Sequence, residues 1–188
     1  MRFVFFAVLL LLAGCGSVPH SINNACAVFE QRDGLFDNWQ RAAEKASRRH
    51  GVPVSVLMAT IYVESGFKHN ARPPRRWILG IIPWKRPSSA YGYSQALNGT
   101  WSRYKRETGH YFAKRSDFDD AVDFVGWYHR KTHLRNGIAL NDPYRLYLAY
   151  HDGNEAYAKG RISGAARSAA KRFAKITYTY ARQLRSCS

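Results

Sequence analysis

Acidic residues are scarce in this chain. Only 13 Asp and Glu stand against 29 Lys and Arg, a formal net charge of +16. That imbalance points to a polyanionic partner, and charge alone fits nucleic acid, anionic lipid head groups and an acidic wall polymer equally well. A membrane-spanning run is also missing: "FVFFAVLLLLA", residues 3–13, is apolar but too short to cross a bilayer as a stable helix. Internal repeats and low-complexity tracts are absent, which argues against a solenoid or a disordered linker protein. Strand alternation is not convincing anywhere. Cysteine is rare, at three residues, and glutamate sparse, at five. With 188 residues there is room for one domain with a substantial core and hardly for two.

What is present begins with an export signal. Arg2, the apolar run and the small residues of "LAGC", 12–15, have the form of a secretory leader. The stretch resembles a bacterial lipobox, in which Cys15 is lipid-modified and becomes the new N-terminus after a signal peptide over 1–14. Gly16 after that cysteine favours the outer membrane under the best-known sorting rule, so the expected location is the periplasmic face, lipid-anchored. A lipidated terminus anchors a protein without making it span the membrane. Cys26 and Cys187 then remain, an even count in an exported protein, and are expected to form one disulfide; two idle thiols are the alternative. Export also removes cellular nucleic acid as a partner.

Residues 15–36 read as a tether. "DNWQRAAEKASRRHG", 37–51, reads as a helix with Asp37 as N-cap and Gly51 just past its end. "VPVSVLMATIYVES", 52–65, is apolar on nearly every side and reads as a helix buried within the core. Residues 68–95 carry four prolines and little helical period, so a long irregular loop is expected, with a short hairpin-like "WILGIIPW". Helices are predicted over 98–109, over 116–133 with Ser116 as cap, over 141–153, and from about 163 to 185. The fold class is therefore all-α, with 37–188 forming the domain.

Glu64 stands out among the five glutamates because it ends the apolar helix and runs into Ser65-Gly66-Phe67. From the residues alone two readings stand. It is an acid whose pKa is raised by burial, as a general acid needs, or a helix-end glutamate paired with a basic side chain in the core. Two later segments bear on the choice: Gly92-Tyr93-Ser94-Gln95, and Ala149-Tyr150-His151-Asp152-Gly153. Together with Glu64-Ser65 they resemble, in order, the three signature motifs of the soluble lytic transglycosylase (SLT) domain, family 23 of the glycoside hydrolases, over roughly 37–155.

The resemblance implies a lysozyme-like helical fold. It also implies cleavage of the β-1,4 bond between N-acetylmuramic acid and N-acetylglucosamine in peptidoglycan, without metal or cofactor. Ordinary glycosidases place two carboxylates about the bond, whereas these motifs supply one. Glu64 would protonate the glycosidic oxygen and then serve as base on the C6 hydroxyl of the muramyl sugar, closing a 1,6-anhydro ring. By the same resemblance Ser65, Tyr93, Gln95, Tyr150 and His151 belong to the substrate site. Gln95 would bond substrate, Ser65 contact the muramyl side or its peptide, and the Tyr150 hydroxyl orient the catalytic carboxylate. Tyr93-Ser94 and His151-Asp152 depart from the family pattern. Asp152 admits a muramidase-type hydrolase in which it activates water, and the two altered motifs together admit a peptidoglycan-binding lipoprotein without turnover. The expected partners are peptidoglycan strands and the membrane, with the protein monomeric.

Other features read more plainly. His129 and His133, four apart, are expected on a solvated helix face and not in a metal site. The acids of "DFDDAVDF" read as first-turn helix charges. Trp77, Trp84 and Tyr91 either stack on sugars or hold the long loop down. The basic surface matches peptide-stem carboxylates and other wall anions, or serves solubility alone.

Overall fold

Buried apolar stripes at helical spacing organise the chain. The computed structural model describes residues 18–32, 38–75, 77–78 and 82–187, and among them are eight helices. The leader, Cys15 and Asp37 lie outside the described residues, as does the side chain of Trp77. In α2 (Trp39–His50), Trp39, Ala42, Ala43 and Ala46 are buried, one face of a 3.6-residue period. Asn38 caps it, its side chain accepting from the Arg41 amide at 2.7 Å. Helix α3 (Val54–Ser65) has no polar face: every residue from Ser55 to Ile61 is buried.

Helix α4 (Asn98–Thr108) contributes Trp101 and Tyr104 to the core. Helix α5 (Phe118–Asn136) is the central rod and touches α2, α3, α4, α6 (Pro143–Asp152) and α7 (Asn154–Ala158). Its cap is Asp117 and not Ser116: the Asp117 carboxylate accepts from the Asp120 amide at 3.1 Å. Helix α8 (Gly164–Gln183) closes the chain, laying Ala166, Ala170, Phe173, Thr177 and Tyr180 against α3 and α6. The only ladder among the described residues is a minimal antiparallel pair, β1 (Trp77–Ile78) and β2 (Ile82–Pro83), inside the long loop.

Three sequence expectations give way here. The tether expected over 15–36 is not free over its described part, 18–32. Residues 21–30 enter a short helix, α1 (Ala25–Glu30), whose Ala25 and Val28 are fully buried. The segment is tied to α8: Ala25 donates its amide to Gln183 Oε1 at 2.9 Å, Tyr180 donates to the Ile22 carbonyl, and Cys26 and Cys187 are joined by a disulfide.

His129 is not on a solvated face. It is fully buried because α5 is surrounded by other helices, and its Nε2 lies 3.0 Å from Thr60 Oγ1. Since that hydroxyl already donates to the Val56 carbonyl at 2.8 Å, Nε2 is the donor. Burial pushes the His129 ring down to a pKa of about 3, so it stays neutral.

Asp123 is likewise not a solvated first-turn charge. It is buried and accepts from Arg49 (2.9 Å), His50 (3.0 Å) and Tyr104 (2.8 Å). Burial would raise its pKa, but the bonds from His50 and Tyr104 and the His50 and Arg49 charges hold it below its ordinary value. The network clamps α2 to α5 where Gly126 admits the His50 ring: a Cβ on Gly126 would sit 2.5 Å from His50 Cδ2.

Candidate active site

Glu64 is placed by the end of α3, whose apolar walls leave its carboxyl little water. The residue keeps some surface on a cleft of about 480 Å³, yet protein surrounds the carboxyl closely. Desolvation lifts its pKa from 4.5 to about 7, against opposing pulls from a Tyr147 hydrogen bond and the His151 and Arg172 charges. The Tyr147 hydroxyl donates to Glu64 Oε1 at 2.7 Å. Burial and the Glu64 charge push that phenol far up its scale, so it remains a donor at any working pH. Phe173 of α8 stacks on the Tyr147 ring, centroids 4.8 Å apart, and fixes its position from behind.

The hydrogen bond to Glu64 expected of the Tyr150 hydroxyl is made by Tyr147. The Tyr150 hydroxyl donates to the Ser94 carbonyl at 2.7 Å instead, tying α6 to the 92–95 turn, while its ring packs on Tyr128 and His129. Tyr147 and Tyr150 are three apart on one helix and share a stripe, and the one that reaches Glu64 is Tyr147. The spacing "YLAY" was the available signal, but sequence cannot say which tyrosine reaches farther.

The 92–95 turn has its own geometric demand. A Cβ on Gly92 would fall 2.0 Å from the Arg115 carbonyl, and Tyr93 donates its amide to that same oxygen at 3.1 Å. Gln95 is held at φ +50°, a left-handed conformation that costs a non-glycine residue roughly 1 kcal/mol or more. Its amide nitrogen donates to the Ala71 and Gly92 carbonyls at 3.0 and 2.8 Å. Both donor hydrogens are thus spent on the turn, and Gln95 lines the cleft with its carbonyl oxygen as the remaining polar group. Ser94, next to it, is fully buried with its hydroxyl unbonded.

Of the other expected site residues, His151 lines the cleft and is exposed, with Nδ1 2.7 Å from Asp152 Oδ1. Asp152 also accepts from the Ser163 amide (2.6 Å) and hydroxyl (3.0 Å), anchoring the start of α8. Ser65 and Tyr93 do not line the cleft. The Ser65 hydroxyl turns back onto the Ile61 carbonyl at 3.0 Å, within its own helix. Tyr93 is buried edge-on against Trp39 and Phe118, with centroids 5.6 Å away in each case. An aromatic at that position fills the core beneath the turn. Phe124 and Tyr128 of α5 and Thr100 of α4 complete the cleft, none of them marked by a motif. Among the described residues no group of three or more His, Cys, Asp or Glu is arranged to hold a metal ion.

A second depression of similar size, about 470 Å³, lies between α2 and α5 beside residues 109–113. Its deepest acid is Asp123, which the clamp keeps charged and fully bonded. The Glu64 cleft joins a carboxyl poised near neutrality to open space, which is what acid–base chemistry on a bulky substrate requires.

The sequence profile described as "Transglycosylase SLT domain" matches residues 3–187. Comparison with curated protein sequences gives no match. Among solved structures the fold is similar to that of an inactive mutant of the lytic transglycosylase Slt from Pseudomonas aeruginosa, with TM-score 0.53 and 14% identity. That likeness covers 87% of this chain and 28% of the other, so the chain spans little more than a quarter of it.

Proposed function

Because the chain belongs to the transglycosylase SLT domain family, we propose that it is a lytic transglycosylase cleaving the β-1,4 bond between N-acetylmuramic acid and N-acetylglucosamine in peptidoglycan. One observation carries this reading: Glu64 is an acid poised near neutrality at an open cleft and hydrogen-bonded by Tyr147. With a pKa of about 7, Glu64 is about half protonated at neutral pH and largely so below it, and it donates to the glycosidic oxygen as the bond to C1 breaks. The carboxylate left behind, still bonded by Tyr147, takes the proton of the muramyl C6 hydroxyl as that oxygen closes on C1. The 1,6-anhydro product forms, and Glu64 regains its proton for the next cycle. Gln95 offers its carbonyl oxygen to a substrate hydroxyl or N–H, and the exposed His151 edge faces the sugar.

Hydrolysis through Asp152 is disfavoured by its surroundings. Its oxygens already engage His151 and, twice, Ser163, which holds the carboxylate to the start of α8 and leaves it only one lone pair, on Oδ2, for water. Under this reading the chain is exported, carried to the periplasmic face by its leader and held there through Cys15. No helix among the described residues is long and apolar enough to cross a membrane.

The test is digestion of purified peptidoglycan by wild type and Glu64→Gln, with mass analysis of the fragments. Anhydro-muropeptides from wild type alone are expected. Products carrying an added water would mean a hydrolase. No products from the wild type would mean a binding protein.

A further inference from the structure

Residues 65–106 contain nine Lys and Arg and no Asp or Glu. Part of that charge converges. Arg72, Arg86 and Arg115, with Ser88, Ser89 and Tyr91, line a pocket of about 230 Å³. Ser88 and Ala90 line both this pocket and the Glu64 cleft, so one opens beside the other.

The arginines are held in place by neutral groups. The Arg72 and Arg115 guanidinium carbons lie 4.5 and 5.2 Å from the centre of the Tyr91 ring. Arg115 donates to the Ser89 and Ala96 carbonyls at 2.9 and 2.7 Å, and Arg86 donates to the Pro73 carbonyl. Among the described residues no carboxylate pairs with any of the three. Burial, together with the neighbouring Arg72 charge, pulls Arg115 below the usual guanidinium range. Three like charges gathered in a half-enclosed space raise one another's energy, and an arriving anion relieves it.

We propose that this arginine pocket is an anion subsite that takes a carboxylate of the peptide stem attached to the sugar in the adjoining cleft. The inference rests on the reading of that cleft as a glycan site, because a muramyl unit held there brings its stem carboxylates with it. A guanidinium fork matches a carboxylate through two parallel N–H···O bonds, which a lysine cannot reproduce. Arg72 is the member best placed to answer: it is exposed and, among the described residues, makes no hydrogen bond that holds the loop, whereas Arg115 braces the chain at two carbonyls. Enzyme acting through this pocket prefers strands that keep their stems.

The experiment compares turnover on stem-bearing strands and on strands stripped of peptide by an amidase. In Arg72→Met, which keeps a side chain over Tyr91 but no charge, the ratio of the two rates is expected to fall about tenfold. Arg72→Lys should restore only part of it. An unchanged ratio overturns the proposal. A second arm needs no turnover and titrates wild type with a soluble stem peptide, its carboxyl-amidated form and inorganic phosphate. Binding of the acid, weakened about tenfold by Arg72→Met and absent for the amide, supports the subsite even if the wild type yields no wall fragments. That outcome would sink the catalytic reading alone. Acid and amide bound alike, or phosphate bound in preference to the acid, overturns the subsite even if the protein is an active transglycosylase.

Discussion

Glu64 has its acidity set by two opposed influences of unequal size. Desolvation raises the carboxyl, and the Tyr147 hydrogen bond, the largest of the opposing pulls, favours the charged form and brings it back toward 7. The proton-donating form is therefore lost as pH rises through about 7, and kcat/KM should fall along an alkaline limb centred there. Tyr147→Phe keeps the ring and its stacking on Phe173 but removes the donor. Its Glu64 should titrate at higher pH, so the alkaline limb moves up while kcat drops about tenfold as the carboxylate loses its orientation. A pH profile of the variant checks both. A lower kcat with an unmoved limb would show that Tyr147 does not bear on the acid. Glu64 was legible from sequence as a candidate, because it ends an apolar helix; the residues alone left a core ion pair equally open, and its raised pKa at the cleft comes from the fold. Which tyrosine serves it was not legible, because Tyr147 and Tyr150 share one helical stripe and the choice depends on how α6 is rotated against α3.

At the scale of elements, the site depends on α5 being held against α2 and α3. Helix α2 makes that contact through His50, whose ring enters the gap left by Gly126 and is fixed at 3.0 Å to Asp123 Oδ1. The ring cannot swing away without leaving a buried carboxylate short of a donor. Gly126→Ala places a methyl 2.5 Å from His50 Cδ2 and should cost about 1–3 kcal/mol, read as a lower urea midpoint with an unchanged slope. Helix starts were largely legible: Asp142 and Ser163 cap α6 and α8 through the amides of Arg145 and Ala166. The starts misread are those with two polar residues in a row. Ser116 stands beside Asp117, and only the backbone path decides which one turns inward. Burial of His129 and Asp123 was also hidden, because a helix enclosed on several sides carries polar residues wherever a partner waits on a neighbour.

At the scale of the whole molecule, the two ends of the domain are joined. The disulfide links residues 161 apart, and the Gln183 and Tyr180 bonds fasten the same seam. In the chain-entropy view, closing so long a loop stabilises by about 2–5 kcal/mol. Reduction, or Cys26→Ser with Cys187→Ser, should lower Tm by several degrees in a thermal melt. Wall-degrading activity at room temperature should persist, since no cleft residue belongs to the seam. A Tm that ignores reductant would show that the remaining contacts hold the ends without the bridge. The charge is also uneven at this scale. Acid-free stretches over 65–106 and 156–188 carry seventeen of the 29 cations, so one of them lies along the cleft. Salt should therefore weaken wall binding more than it weakens folding.

The sequence by itself determined the helical class, Glu64 as the candidate acid and the cationic balance of the chain. These follow from local rules: hydrophobic period, scarcity of one residue type, net charge. The tertiary structure alone decided that Tyr147 and not Tyr150 bonds Glu64, and that Tyr93 and Ser65 belong to the interior. It alone brought Arg72 and Arg115 over one tyrosine ring and Arg86 into the same pocket. Each of these depends on how rigid elements rotate and approach, and a linear pattern carries no record of that angle.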